Sequence, residues 1–188
     1  MSERMPRSFF GTLILTATLC TAVCASAQAG AWLDVPYVAQ QQDGCGAAVI
    51  SMVMQYWERQ QGLAETPSAQ PENILHALYS GSVHGIYASA MVKYFQGNGF
   101  RTFTFAGQWQ DFPRELQKGR PLIVALKPDA SGSLHYVVVA GVDTDRQLLL
   151  VNDPARRKLL KQDRAVFEQE WQATHNWTLL VVPQPATH

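Results

Sequence analysis

The order of apolar patterns along the chain predicts an α+β fold, with helical periodicities in the first half and strands gathered in the second. Two observations carry that prediction. From Gly46 to Trp57 nearly every residue is apolar, the mark of a helix buried on all sides. Later, three apolar runs with strong strand signals follow closely: Leu122 to Leu126, His135 to Val142, and Leu148 to Val151. A buried helix near the N-terminus packed on a mostly antiparallel sheet is the expected architecture.

The remaining elements fill in around these. Leu33 to Val38 alternates as a short strand and leads to the polar run Gln40, Gln41, Gln42, Asp43. Ser68 to Tyr79 reads as a helix, with Pro71 near its start and Gly81 beyond its end. Ile86 to Gln96 is a second amphipathic helix, stopped near Gly97 and Gly99. Phe100 to Phe105 alternates as a strand, and Gln110 to Lys118 is a short helix closed by Gly119. Arg164 to Trp171 is helical, and Trp177 to Val182 is a last strand. No repeat, low-complexity tract or linker interrupts the chain, so residues 32–183 read as one domain. The full 188 residues suffice for one substantial core.

Residues 1–27 carry the pattern of a cleaved signal peptide. Arg4 and Arg7 form a basic start, Phe9 to Val23 is apolar, and Ala25-Ser26-Ala27 is a small-x-small cleavage signal. Cleavage is expected after Ala27, with Ala29 as the second choice. The apolar run is shorter than the ~20 residues of a spanning helix. The mature protein is therefore expected in the periplasm or outside the cell, with no membrane span. Cys20 and Cys24 lie in this segment, without the Leu-Ala-Gly type of sequence that lipid attachment requires.

Lys+Arg and Asp+Glu both number 15, so the formal net charge is zero. A general nucleic-acid binder needs a basic excess, so no nucleic-acid partner is expected. His76, His84 and His175 form no metal-ligand spacing with one another or with a mature cysteine, so no metal or other cofactor is expected. The five tryptophans read as core or strand-edge aromatics, with a minority role for Trp109 in a subsite. Arg156 and Arg157 read as a solvated turn.

Signal removal leaves one cysteine, Cys45, in a compartment that pairs thiols. It lies between Gly44 and Gly46 at the mouth of the buried helix. Unpaired N–H groups and the positive helix end favour the thiolate there, the nucleophilic form. The flanking glycines let backbone approach a substrate, so Gly44 and Gly46 are substrate-binding candidates. His135 opens a strand and is placed to act as base toward a thiol and then as acid to a leaving amine. Pairing Val142 with Leu148 in a hairpin sets Asp153 opposite Val137, one same-face step from His135. A register shifted by two residues sets it directly opposite His135, whereas a one-residue slip separates the pair. Asp153 would then orient the imidazole and stabilise its charged form. An amide side chain before the nucleophile would donate to the oxyanion beside the Cys45 N–H, with Gln40, Gln41 and Gln42 all candidates. His84, before Gly85 at a helix start, is a candidate for the cleft rim.

Four blocks, in order, make a recognisable set: Val-Pro-Tyr-Val-Ala-Gln, Asp-Gly-Cys-Gly-Ala-Ala, His-Tyr-Val-Val-Val-Ala-Gly-Val-Asp and Val-Asn-Asp-Pro. The set resembles the bacteriocin-processing family of papain-like cysteine peptidases, which includes leader peptidases that cut after double glycines. The resemblance spans nearly the whole mature chain and implies a papain-like fold. It implies Cys45 as nucleophile, His135 as base, Asp153 as orienting acid and Gln40 as oxyanion residue. Gln41, four residues before Cys45, is the fallback. The implied partner is a peptide or protein substrate, with an association with a secretion system.

Two features depart from the best-known members. Those carry the peptidase domain on an ABC exporter; here the chain shows neither a membrane domain nor a phosphate-binding Gly-x-x-x-x-Gly-Lys-Ser/Thr motif. Gly44 stands where many members have Asp directly before the cysteine. The expectation is a standalone exported endopeptidase. The rivals are a catalytically silent peptide-binding accessory domain of an export system, and a transamidase that resolves the same acyl-enzyme with an amine.

Overall fold

The apolar runs of the second half lie side by side in one sheet, and helices cover both of its faces. A computed structural model describes Met1, residues 30–128 and residues 132–185. The proposed signal segment, with Arg4, Arg7, Cys20, Cys24, Ala27 and Ala29, lies outside the described residues, as do Asp129, Ala130 and Ser131. The elements in order are β1 (Ala31–Trp32), α1 (Cys45–Gln60), α2 (Pro71–Leu78), α3 (Ala88–Gly97), β2 (Phe100–Ala106), α4 (Asp111–Leu116), β3 (Leu122–Leu126), β4 (His135–Asp143), β5 (Leu148–Asp153), β6 (Arg157–Asp163), α5 (Arg164–Gln172) and β7 (Trp177–Pro183). A short 3-10 turn, Pro67–Ala69, precedes α2. The sheet runs β2-β7-β3-β4-β5-β6, and β1 also pairs with β4. Every pairing is antiparallel.

Alternation along the central strands divides the core in two. Tyr136, Val138 and Ala140 face α1 and α3. Val137, Val139 and Val142 face the other way, onto Phe112, Phe167 and Trp171 of α4 and α5. Phe112 stacks within 5.0 Å of Trp171 and 5.5 Å of Phe167, centroid to centroid. Trp109 sits in this second core, with the Arg164 guanidinium over its ring. It is therefore a packing residue remote from Cys45, which packs on the first core.

α1 is buried over most of its length, up to Glu58, as its composition requires; Ser51 and Gln55 are paired internally, while Glu58 Oε2 has no hydrogen-bond partner. Ser51 donates to the Ala69 carbonyl at 2.6 Å and accepts from Gln55 at 3.0 Å. Tyr56 and Trp57 donate to the carbonyls of Gly119 and Val181, which ties the helix to the strand layer. Among the described residues no helix is long and apolar enough to cross a membrane.

Three local expectations are corrected. Leu33 to Val38 forms no strand: β1 ends at Trp32, because β3 already fills that side of β4 from His135 to Val139. Pro36 would in any case break a ladder there. His84 does not open a helix; it sits in a tight turn at φ 46°, closed by the Ser80–Gly85 bridge, and α3 begins at Ala88. Arg157 is no loop residue but the first of edge strand β6. The exposed Arg157, Lys158 and Lys161 are the charges an edge strand carries against unwanted pairing.

Candidate active site

Gly44 precedes α1 without any side chain capping the helix, so its first N–H groups face the space around Cys45. The Cys45 thiol is free and partly buried. A Cβ on Gly46 would lie 2.9 Å from Cβ of Ile86. Gly46 thus lets the segment after His84 close on the helix mouth. A Cβ on Gly44 would lie 3.0 Å from the Gln41 carbonyl, so this glycine permits the tight turn into the helix. His84 is well exposed, with Nδ1 3.9 Å from Asp43. The turn thus sits beside Asp43, two residues before Cys45 in the chain.

The β4–β5 hairpin starts one residue out of the expected register, with Asp143 opposite Leu148 and Val142 opposite Leu149. That is the slip that would separate His135 from Asp153. A bulge at Ala140 absorbs the extra residue, so that Val139 meets Val151 and Val138 meets Asn152. The Ala140 carbonyl turns to the other side and accepts from Leu33 N–H at 2.7 Å. Beyond the bulge His135 and Asp153 share a face, with Nε2 of His135 2.8 Å from Oδ1 of Asp153. The Cys45 thiol is a second side-chain hydrogen-bond partner of the ring. His135 thus has both the thiol and the carboxylate as neighbours.

Electrostatics follow from this placement. Burial works against a charged His135, but hydrogen bonds to Asp153 and Cys45 and their negative charge outweigh it, raising the imidazole to about 9. Burial likewise disfavours the Asp153 carboxylate, yet the His135 hydrogen bond and charge, the Ala155 N–H and Arg156 hold it below its ordinary value. Arg156, expected only as a solvated turn, thus contributes to the site. Tyr136 is pushed up to about 12 by burial and by the Cys45 charge. A cavity of about 540 Å³ borders the pair, lined by His135, Asp153, Arg156, Leu126, Gln162 and Glu170.

Among the three glutamines, position separates the candidates. Gln41 is exposed and donates to Glu72 at 3.3 Å, and Gln42 is exposed. Gln40 is anchored by its N–H on the Pro154 carbonyl at 2.9 Å. Its side-chain Oε1 is buried with no hydrogen-bond partner. A buried amide oxygen without a partner is rare and calls for an explanation.

Residues without an assigned catalytic role also shape the site. Tyr37 donates to the Asp153 carbonyl at 3.3 Å, and Asn152 is fully buried beside the pair. Only the Asn-Asp-Pro block hinted at the latter.

A family model described as the Peptidase_C39 like family matches residues 32–179. The fold is similar to the peptidase domain of Streptococcus ComA, a bi-functional ABC transporter involved in a quorum-sensing pathway. There the identity is 21%, the TM-score 0.61, and the match covers 78% of this chain and 97% of that one. It is also similar to a double glycine motif protease from an AMS/PCAT transporter, solved in complex with the leader peptide, at 20% identity and TM-score 0.60, covering 82% and 95%. A third similar structure is the N-terminal peptidase C39 like domain of the toxin secretion ATP-binding protein from Vibrio parahaemolyticus, at 12% identity and TM-score 0.51, covering 77% and 99%. No protein of curated function matches the sequence.

Proposed function

The chain belongs to the Peptidase_C39 like family, and we propose that it is an exported cysteine endopeptidase acting through Cys45, His135, Asp153 and Gln40. The family supports a cysteine peptidase, and the chain has that papain-like fold. The observation that carries the assignment of residues is His135 Nε2 2.8 Å from the Asp153 carboxylate, with the Cys45 thiol as a further hydrogen-bond partner of the ring.

In this reading Cys45 attacks a peptide carbonyl as the thiolate, with imidazolium His135 as its counter-ion. Nε2–H donates to Asp153, which fixes the ring and directs Nδ1 toward the sulfur. As the carbonyl becomes tetrahedral, its oxygen accepts from Gln40 and from the Cys45 N–H at the uncapped helix end. His135 gives its proton to the departing amine. The acyl-enzyme remains, and His135, now neutral, takes a proton from the water that hydrolyses it. Gly44 and Gly46 keep the backbone close at the nucleophile, and His84 rims the cleft.

Export is supported by the basic, apolar and small-residue pattern of the first 27 residues. The substrate proposed is an exported protein or a leader ending in Gly-Gly, by likeness to the double glycine motif protease. Association with a secretion system is proposed on the same ground, since similar domains belong to ABC transporters.

The test is cleavage of peptides that span a Gly-Gly junction, read by product mass, with Cys45→Ala alongside. The expected result is a cut that the variant loses. Equal cleavage by Cys45→Ala would remove the thiol from the mechanism. A mass showing amide exchange with an added amine would change the acceptor from water and make the chain a transamidase.

A further inference from the structure

We propose that Asn152 is a positioning residue for the oxyanion donor: from the opposite face of β5 to Asp153, it holds the arm that carries Gln40 at a set distance from the His135–Asp153 pair. The inference rests on the catalytic reading above.

The arm runs from Leu33 to Gln40 outside the sheet. Its first anchor is Leu33 N–H on Ala140, and its last is Gln40 N–H on Pro154. In between, Pro36 has no N–H, and Val35 and Pro36 are buried. Their carbonyls find their donor in Nδ2 of Asn152, at 3.2 and 3.3 Å. Asn152 is fully buried, and its Oδ1 accepts from the Leu159 N–H at 3.0 Å. Only a carboxamide of this length offers two donor hydrogens and an acceptor at once.

The third bond marks where strain is stored. Leu159 sits at φ 50°, a left-handed conformation unusual for a bulky residue, where β5 and β6 lose register between Val151 and Asp153. Asn152 bridges this irregularity by accepting the Leu159 N–H. It therefore joins arm, β5 and β6 at one buried point, while its chain neighbour Asp153 turns to His135. Tyr37 reinforces the join by donating to the Asp153 carbonyl at 3.3 Å.

Loosening this join should move Gln40 and leave the thiol–imidazole–carboxylate row in place, because Asp153 keeps its bonds to His135 and Ala155. The probe is a peptide ending in Gly-Gly with a C-terminal aminomethylcoumarin amide. Asn152→Ala is expected to lower kcat about tenfold or more, short of the ~10²–10³ expected for Gln40→Ala, with KM nearly unchanged. Iodoacetamide alkylation of Cys45, which passes through no oxyanion, should keep its rate and pH dependence. In the Gln40→Ala background Asn152→Ala should cost nothing further in kcat, whereas a general structural role would still lower it.

Tyr37→Phe loosens the same arm more gently and should show the same non-additivity, so the inference is tested even if Asn152→Ala does not fold. A further tenfold loss from either change in the Gln40→Ala background, or an altered alkylation profile, overturns the proposal and leaves the catalytic reading intact. Wild-type protein that neither cleaves the probe nor reacts with iodoacetamide below the ~8.5 of a free thiol overturns both.

Discussion

Asp153→Asn isolates one charge. In the wild-type site a single oxygen, Oδ1, accepts from His135 at 2.8 Å and from the Ala155 N–H at 2.9 Å. Asparagine can present its carbonyl oxygen to both donors, so shape and hydrogen-bond count survive and only the negative charge goes. Hydrogen bonds between charged groups are worth about 1.5–3 kcal/mol against about 1 for neutral ones. The loss is therefore about 1–2 kcal/mol, or roughly one pH unit on the His135 imidazole. His135 starts at about 9, with burial pulling it down and Asp153 the first of the groups holding it up. The upper limb of the kcat/KM profile should fall by roughly one pH unit, with a drop of about tenfold in kcat. The melting temperature should fall by only roughly 2–8 °C. The assay is a pH–rate profile on a Gly-Gly peptide beside an NMR titration of labelled His135. An upper limb still near 9 with full activity would refute the reasoning and remove Asp153 as the orienting residue.

Three further outcomes follow from the same geometry. Gln40→Ala should lower kcat by ~10²–10³ with little change in KM, whereas Gln41→Ala, which loses an exposed bond to Glu72, should stay within about twofold; steady-state kinetics of both variants decide it. Gly46→Ala places a Cβ 2.9 Å from Ile86 and should destabilise the protein by about 1–3 kcal/mol, read from its urea midpoint. Stability should also fall as pH rises from 6.5 to about 9, because His135 is raised between those values on folding. Its contribution, up to about 3 kcal/mol, is complete below 6.5 and lost above the folded value. Asp153, lowered from 3.8, adds an acid limb in which stability is lost as pH falls below that. Urea midpoints flat from pH 6 to 10 would contradict the His135 assignment.

Local pattern by itself determined much of this protein. The buried helix with a thiol at its mouth, the central strands and the α+β class can be read from runs of a few residues, because periodicity of 3.6 or 2 is a property of one short segment. The four sequence blocks added the family. The pairing of His135 with Asp153 is different in kind. Alternation assigns faces only while the ladder is uninterrupted, and here the hairpin begins in the separating register until Ala140 bulges out. No local signal at Ala140 announces that. β6 escaped notice because Leu159 breaks its alternation and its charges resemble a loop. Gln40 and Gln41 are identical as residues; what distinguishes them is Pro154 under one and Glu72 beside the other. Asn152 is likewise ordinary until its carbonyl partners are found 116 and 117 residues away. Register and hydrogen-bond partnership are relations between distant segments, and only packing of the whole chain decides which segments meet.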